Sequence, residues 1–158
     1  MIVLLVTISL ISIIYPIYSI NKTKSIPESL SDTYYTLEDK GYLFQLAISM
    51  VSIMLLPVWL SVSDEYYQFL SFIGCSSLLF VATAPSFKLK LDGIVHYTSA
   101  SLCCTASILW QLIEGLYDIT LFFLFLGFMV YLRYSKWCFW LELAIIYSVI
   151  FNIWRLIL

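Results

Sequence analysis

Residues 21–41 read NKTKSIPESLSDTYYTLEDKG, the only extended polar stretch in a chain of 158 residues. This stretch holds four of the ten acidic residues and three of the eight basic ones. On one side of it residues 2–20 form an apolar run without a charge; on the other, residues 42–62 form a second. A helix rises about 1.5 Å per residue, so about twenty apolar residues cover most of a hydrocarbon core ~30 Å thick. The polar segment therefore reads as a loop between two membrane helices.

The rest of the chain repeats the apolar pattern without another such loop. Residues 67–87, 93–113, 116–132 and 137–158 are further apolar runs, separated by the short polar turns 88–92 and 133–136 and by Gly115. Each run is too long and too continuously apolar for a membrane β-strand, which alternates over about ten residues. The expected fold is an all-α, polytopic integral membrane bundle of six transmembrane helices forming one domain over residues 1–158. Composition agrees: 62% of residues are hydrophobic and 11% charged, and a soluble fold of this size has too little interior for so much apolar surface. Residues 2–20 carry no basic leader and no small-residue cleavage site, so a retained helix is expected rather than a cleaved signal peptide. Pro16 and Pro57 fall inside the first two spans, and Trp59 has the side chain that settles at headgroup depth.

Net charge of −2 and the lack of a basic run exclude nucleic acid as a partner. Cys75, Cys103, Cys104 and Cys138 lie in or beside apolar runs without a C-x-x-C pair, and behave there as small hydrophobes. Ser99, Cys103 and Ser107 recur every four residues, and Gly74 to Ser77 reads GCSS. Such small-residue faces let helices approach closely in lipid, which is the expected use of these hydroxyls and thiols. The fifth span, rich in Phe and Leu, is expected to face acyl chains.

Alternation of six spans places the loop 21–41 and the turns 88–92 and 133–136 on one membrane face. The second, fourth and sixth helices begin at that face, and about one turn inside them lie Gln45, His96 and Glu142. Ionisable and polar groups at membrane depth are costly enough to be functional candidates. Asp32 in the loop above completes a candidate polar site of Asp32, Gln45, His96 and Glu142. A structural reading stands beside it: His96 bonding a neighbouring carbonyl or carboxylate, Gln45 bonding across a helix interface, and Glu142 pairing with Arg133 or Lys136. On the opposite face Glu114, Asp118 and Arg155 form a secondary polar cluster, near Asp64, Glu65 and Asn152, with Arg155 expected to pair with Glu114 or Asp118.

The segment Ile26-Pro27-Glu28-Ser29-Leu30-Ser31-Asp32-Thr33, directly after a first membrane helix, resembles the "P…ISDT" loop of the DRAM, Frag and Sfk group of six-helix membrane proteins and their bacterial relatives. That resemblance implies a non-enzymatic role in membrane trafficking, lipid organisation or regulation. Ser29 or Ser31, Asp32 and His96 are also similar to part of the serine, aspartate and zinc-binding histidine set of alkaline-ceramidase-type intramembrane hydrolases, which use three histidines where this chain has one.

The expected function is a small non-enzymatic, lipid-associated, regulatory or scaffolding membrane protein, without a cofactor, in a plasma or inner membrane. Expected partners are membrane lipids and either further copies of the chain or another membrane protein. An oligomeric channel or transporter subunit, and a metal-dependent lipid hydrolase, are the alternatives. Whether a metal binds is left open by a single imidazole among carboxylates. For orientation, Lys22, Lys24, Lys40, Lys88, Lys90, Arg133 and Lys136 fall on the loop face and only Arg155 on the other, so the positive-inside rule puts the first loop in the cytoplasm. The loop resemblance implies the reverse.

Overall fold

The computed structural model describes residues 1–86 and 89–158, with the side chains of residues 86 and 89–92 left aside. Every regular element among the described residues is helical. In chain order these are α1 (Ile2–Thr23), a single turn α2 (Thr33–Thr36), α3 (Tyr42–Val62), α4 (Gln68–Thr83), α5 (Leu89–Ile113), α6 (Tyr117–Tyr134) and α7 (Trp137–Ile157), with 3-10 turns at Glu38–Lys40 and Ala84–Ser86. Among the described residues, four stretches are long and apolar enough to cross a membrane: Ile2–Thr23, Glu38–Val62, Tyr117–Tyr134 and Trp137–Ile157.

Three boundaries differ from those read in the sequence. α4 stops at Thr83 and gives way to the Ala84–Ser86 turn. Pro85 has no N–H to return to the carbonyl one turn back, so the helix tightens there instead of running on. α5 begins at Leu89, so most of what reads as the polar turn 88–92 is helix; Lys88 lies outside the described residues. α1 runs past residue 20 to Thr23 and ends on Lys24 in the left-handed conformation, φ 54°.

Consecutive long helices run antiparallel, as contacts at the two ends of the bundle show. Loop residue Glu28 meets Lys136 and the Phe139 N–H of α7, and loop residue Ser31 meets His96 of α5. At the other end Ser61 meets Met1, the Asp64 N–H meets Glu114, and Asp118 meets Arg155. The first is called the loop end, the second the termini end.

α7 is the hub, touching α1, α3, α5 and α6 and burying residues along its whole length. The interior is two apolar clusters stacked along the bundle. Near the termini end, Leu5 and Ile8 of α1, Val58 and Trp59 of α3, Trp110 of α5 and Ile153 of α7 pack together, with the Trp59 and Trp110 rings edge to face at 5.2 Å. Near the loop end, Tyr15, Leu30, Phe44, Val81, Phe139 and Leu143 form the second cluster. α4 and α5 make the most extensive contact in the bundle. On its other side α4 packs against α3, and Gly74 permits that approach: a Cβ there would lie 2.9 Å from the Trp59 ring of α3.

α6 lies outermost, packed on α7, with Thr120 its one buried residue and Phe122, Phe125 and Leu132 projecting outward. The turn before it is closed by Gly115 at φ 72°, with the Leu116 N–H bonded to the Gln111 carbonyl and the Gly115 N–H to Leu112. That pair of bonds is a Schellman stop, which needs the left-handed conformation glycine adopts at no steric cost.

Candidate functional site

The loop is folded, and one peptide explains how. Leu30 is buried between the helices, so neither its N–H nor its carbonyl reaches water and both need partners. Its N–H donates to Glu142 Oε2 on α7 at 2.6 Å. Its carbonyl accepts from the Thr33 hydroxyl at 2.5 Å, and Thr33 in turn accepts from Tyr15 of α1. A single loop residue is thereby held by α1 and α7 together.

A second chain of bonds ties the loop to α5. The Asp32 N–H donates to Ser29 Oγ at 3.1 Å, Ser29 and Ser31 share a bond of 2.8 Å, and Ser31 Oγ lies 3.0 Å from His96 Nε2. A direction consistent for every group runs from Asp32 through Ser29 and Ser31 to His96 Nε2 as acceptor, leaving the imidazole proton on Nδ1. At the rim, Lys136 pairs with Glu28. The Glu28 carbonyl accepts the Phe139 N–H at 3.2 Å, satisfying one of the donors that the start of α7 leaves without an intrahelical partner.

Two of the four sequence candidates, His96 and Glu142, thus meet adjacent loop residues, Ser31 and Leu30. Asp32 turns back on its own loop, accepting the Glu28 N–H at 3.4 Å. Gln45 sits one turn into α3, partly buried beside Phe44. Glu142 takes a backbone N–H, and Lys136, one of the two cations expected to reach it, is paired with Glu28 instead; Arg133 lies over the Tyr134 ring. In the secondary cluster Arg155 pairs with Asp118 at 2.8 Å, while Glu114 accepts the Asp64 N–H at 3.0 Å.

Beneath Leu30 and Ser31 is a cavity of about 60 Å³ with Glu142 and Cys104 in walls that are otherwise mostly apolar, including Phe44, Leu78 and Ile146. That is room for several water molecules, one needing about 10–15 Å³ of such space. No group of three His, Cys, Asp or Glu side chains placed to hold a metal ion occurs among the described residues.

Sequence reading passed over Tyr15, Gln111, Thr120 and the part Thr33 plays, and named Asn152 only as a neighbour of the secondary cluster. Tyr15 and Thr33 fasten the loop yet look like ordinary residues of a span and a loop. Gln111, Thr120 and Asn152 form a fully buried network at the termini end: Gln111 Oε1 accepts from Thr120 Oγ1 and from Asn152 Nδ2, each at 2.8 Å. The available signal was an amide on each of two apolar runs, Gln111 and Asn152, both in the half of the run nearer the termini end.

Comparison with protein-family models, with curated proteins and with solved structures finds no match to this chain.

Proposed function

We propose that this chain is a six-span integral membrane protein with a non-enzymatic, lipid-associated scaffolding or regulatory role, its first loop serving as a folded cap on the bundle. The observation that carries the reading is how the loop-end polar groups are used. Glu142 holds the Leu30 N–H and His96 holds Ser31, so the groups that most suggest chemistry are bonded to the cap. The hydrolase alternative has one histidine to work with where such sites use three.

Four spans follow from helix length and apolarity, and α4 and α5 supply the other two in this proposal. α4, at 16 residues, rises about 24 Å, and the Ala84–Ser86 turn adds to its reach. Apolar side chains project outward from α1 (Val3, Ile14), α3 (Ile53), α4 (Phe72), α5 (Leu109) and α6 (Phe125), as a helix bundle surrounded by acyl chains requires. The charge count puts the capped face in the cytoplasm and both ends of the chain on the other side.

Accessibility labelling tests the topology: single cysteines at Asn21 and Asp64 are expected to react from opposite faces, and reaction of both from one side sinks the six-span proposal. A reporter active only in the cytoplasm, fused after Leu158, is expected to be silent; activity reverses the orientation. For the cap, Glu142→Ala and His96→Ala are expected to speed protease cleavage within residues 28–33 while membrane-integrated protein stays at the wild-type amount. Unchanged cleavage with a lost biological activity would instead return Glu142 and His96 to a chemical role.

A further inference from the structure

On the face of α7 away from the cap, α1 and α6 flank a groove of about 500 Å³. Its floor is Tyr147, Phe151 and Trp154, its walls are Ile13 of α1 and Ile119 of α6, and Arg155 stands at its mouth. The polar atoms of the aromatic floor are already engaged: Tyr147 donates its hydroxyl to the Ser12 carbonyl at 3.0 Å, and Trp154 Nε1 donates to Ser9 Oγ at 3.1 Å. What they present to the groove is therefore ring and not donor. From Arg155 back to Tyr147 the helix rises about 12 Å, close to the depth of one leaflet in a core ~30 Å thick.

The mouth has the opposite character. Arg155 and Asp118 are paired, and their side chains are 50% and 57% exposed. Both bonds to the Asp118 carboxylate, at 2.8 Å, leave from the one nitrogen Nη1. A guanidinium carries five N–H groups, so the Nη2 and Nε edge keeps the fork that matches a phosphate. The exposed Asp118 carboxylate beside it is an acceptor for an ammonium donor.

We infer that this groove is a phospholipid site, holding one acyl chain against Tyr147, Phe151 and Trp154 with the headgroup phosphate on Arg155 and a headgroup primary ammonium on Asp118. Charge complementarity selects this occupant. A paired cation and anion at the interface match a zwitterionic headgroup with donor protons better than an anionic one, which Asp118 repels, or a quaternary ammonium, which has no N–H to give. The inference rests on the membrane-spanning reading above and adds to it a particular lipid class at a particular place.

The test uses the full chain in nanodiscs containing equal parts phosphatidylethanolamine, phosphatidylcholine and phosphatidylglycerol, with the lipid retained after release into detergent counted by native mass spectrometry. One phosphatidylethanolamine per chain is expected, favoured several-fold over the other two. Arg155→Gln is expected to cut retention of all three lipids about tenfold, by removing a charge-assisted phosphate contact. Asp118→Asn is expected to leave binding in place and erase the preference for phosphatidylethanolamine. Ile13→Trp, at an outward position, fills the groove and is expected to cut retention without touching the headgroup contacts. Thermal unfolding of each variant at the wild-type temperature confirms that the fold is intact. Equal retention of the three lipids overturns the headgroup assignment, and retention insensitive to Ile13→Trp overturns the groove. A lipid-free dimer overturns the lipid as occupant in favour of a second copy. A chain that never enters the nanodisc fails the membrane proposal itself, a result distinct from all of these.

Discussion

At the loop end, a carboxylate, an imidazole and two serine hydroxyls hold a loop onto the helices; at the termini end, Gln111, Thr120 and Asn152, none more than 2% exposed, hold helices to one another. The first set bonds to a segment of a few residues outside the long helices. The second joins α5, α6 and α7, and separating its members means separating the helices. Lost contacts should therefore register locally at one end and globally at the other, the difference between sub-global opening and unfolding.

The largest expected effect is at the termini end. Gln111→Leu removes the acceptor that serves both Thr120 Oγ1 and Asn152 Nδ2. Thr120 can turn its one hydroxyl proton to the Leu116 carbonyl at 2.9 Å, and Asn152 Nδ2 keeps its bond to that carbonyl at 3.3 Å, so neither is wholly stranded. Each lost bond is worth about 0.6 kcal/mol on average between membrane helices and up to about 1.7, so a loss of about 1–3 kcal/mol is expected. Denaturant titration in detergent reads this as a lowered midpoint, while hydrogen exchange of residues 28–33 stays at the wild-type rate. If the loop exchanges faster and the midpoint holds, the two ends are coupled and the contrast between them is wrong.

Next comes Glu142→Ala. The bond from the Leu30 N–H to the Glu142 carboxyl is short and buried, and removing its acceptor leaves that N–H unsatisfied at a cost of about 1–3 kcal/mol. Exchange at Leu30 and its neighbours is expected to rise more than tenfold, with a smaller change in the global midpoint. Thr33→Val is the companion, since it strips the Leu30 carbonyl of its hydroxyl donor and leaves Tyr15 without an acceptor. Similar loop opening in both variants would show that holding the Leu30 peptide is what closes the cap. Opening in the Glu142 variant alone would place the closure in the carboxylate.

The helices were legible because their signal is local: runs of about twenty apolar residues need no knowledge of partners, and α3 begins and ends where the sequence reading places it, at Tyr42 and Val62. Helix ends near residues 84–92 were not, since Lys88, Lys90 and Asp92 look like a turn in one dimension while α5 has already begun at Leu89. For the candidate site, alternation of the spans brings His96 and Glu142 beneath the loop, but alternation gives depth and not azimuth. It does not say that a backbone N–H meets Glu142, because every residue carries one and Leu30 is apolar. Tyr15 was hidden the same way, being one aromatic among many until the fold turns its hydroxyl to Thr33. Gln111 and Asn152 stood in view as amides in apolar runs, and only their mutual facing across α5 and α7 makes them a network.

Ser31→Ala is expected to have a smaller consequence at the cap. It removes the link between Ser29 and His96, bonds between uncharged groups worth about 0.5–1.5 kcal/mol each, and leaves the Leu30 peptide held by Glu142 and Thr33. Exchange in residues 28–33 is expected to rise less than in the Glu142 variant. The imidazole resonances of His96 should shift in the same sample, because Nε2 loses the Ser31 hydroxyl. Loop opening as large as with Glu142→Ala would move the principal fastening from α7 to α5.

The smallest expected effect is Glu28→Gln. Lys136 and Glu28 pair at the rim with side chains 33% and 70% exposed, and such pairs contribute at most about 1 kcal/mol. The Glu28 carbonyl also keeps the Phe139 N–H when its carboxylate is neutralised, so the loop remains tied to the start of α7. Substituting Glu28 and not Lys136 avoids a confounding gain, because Lys136 sits at φ 65°, where a change of residue alters backbone strain as well as charge. Exchange in residues 28–33 is expected to rise less than threefold at low salt. In 1 M salt, where the screening length falls to about 3 Å, variant and wild type should converge. A salt-independent opening as large as that of Glu142→Ala would mean the cap is held from its rim, and the division between a locally fastened end and a globally fastened one would then rest on charge at the surface and not on the buried Leu30 peptide.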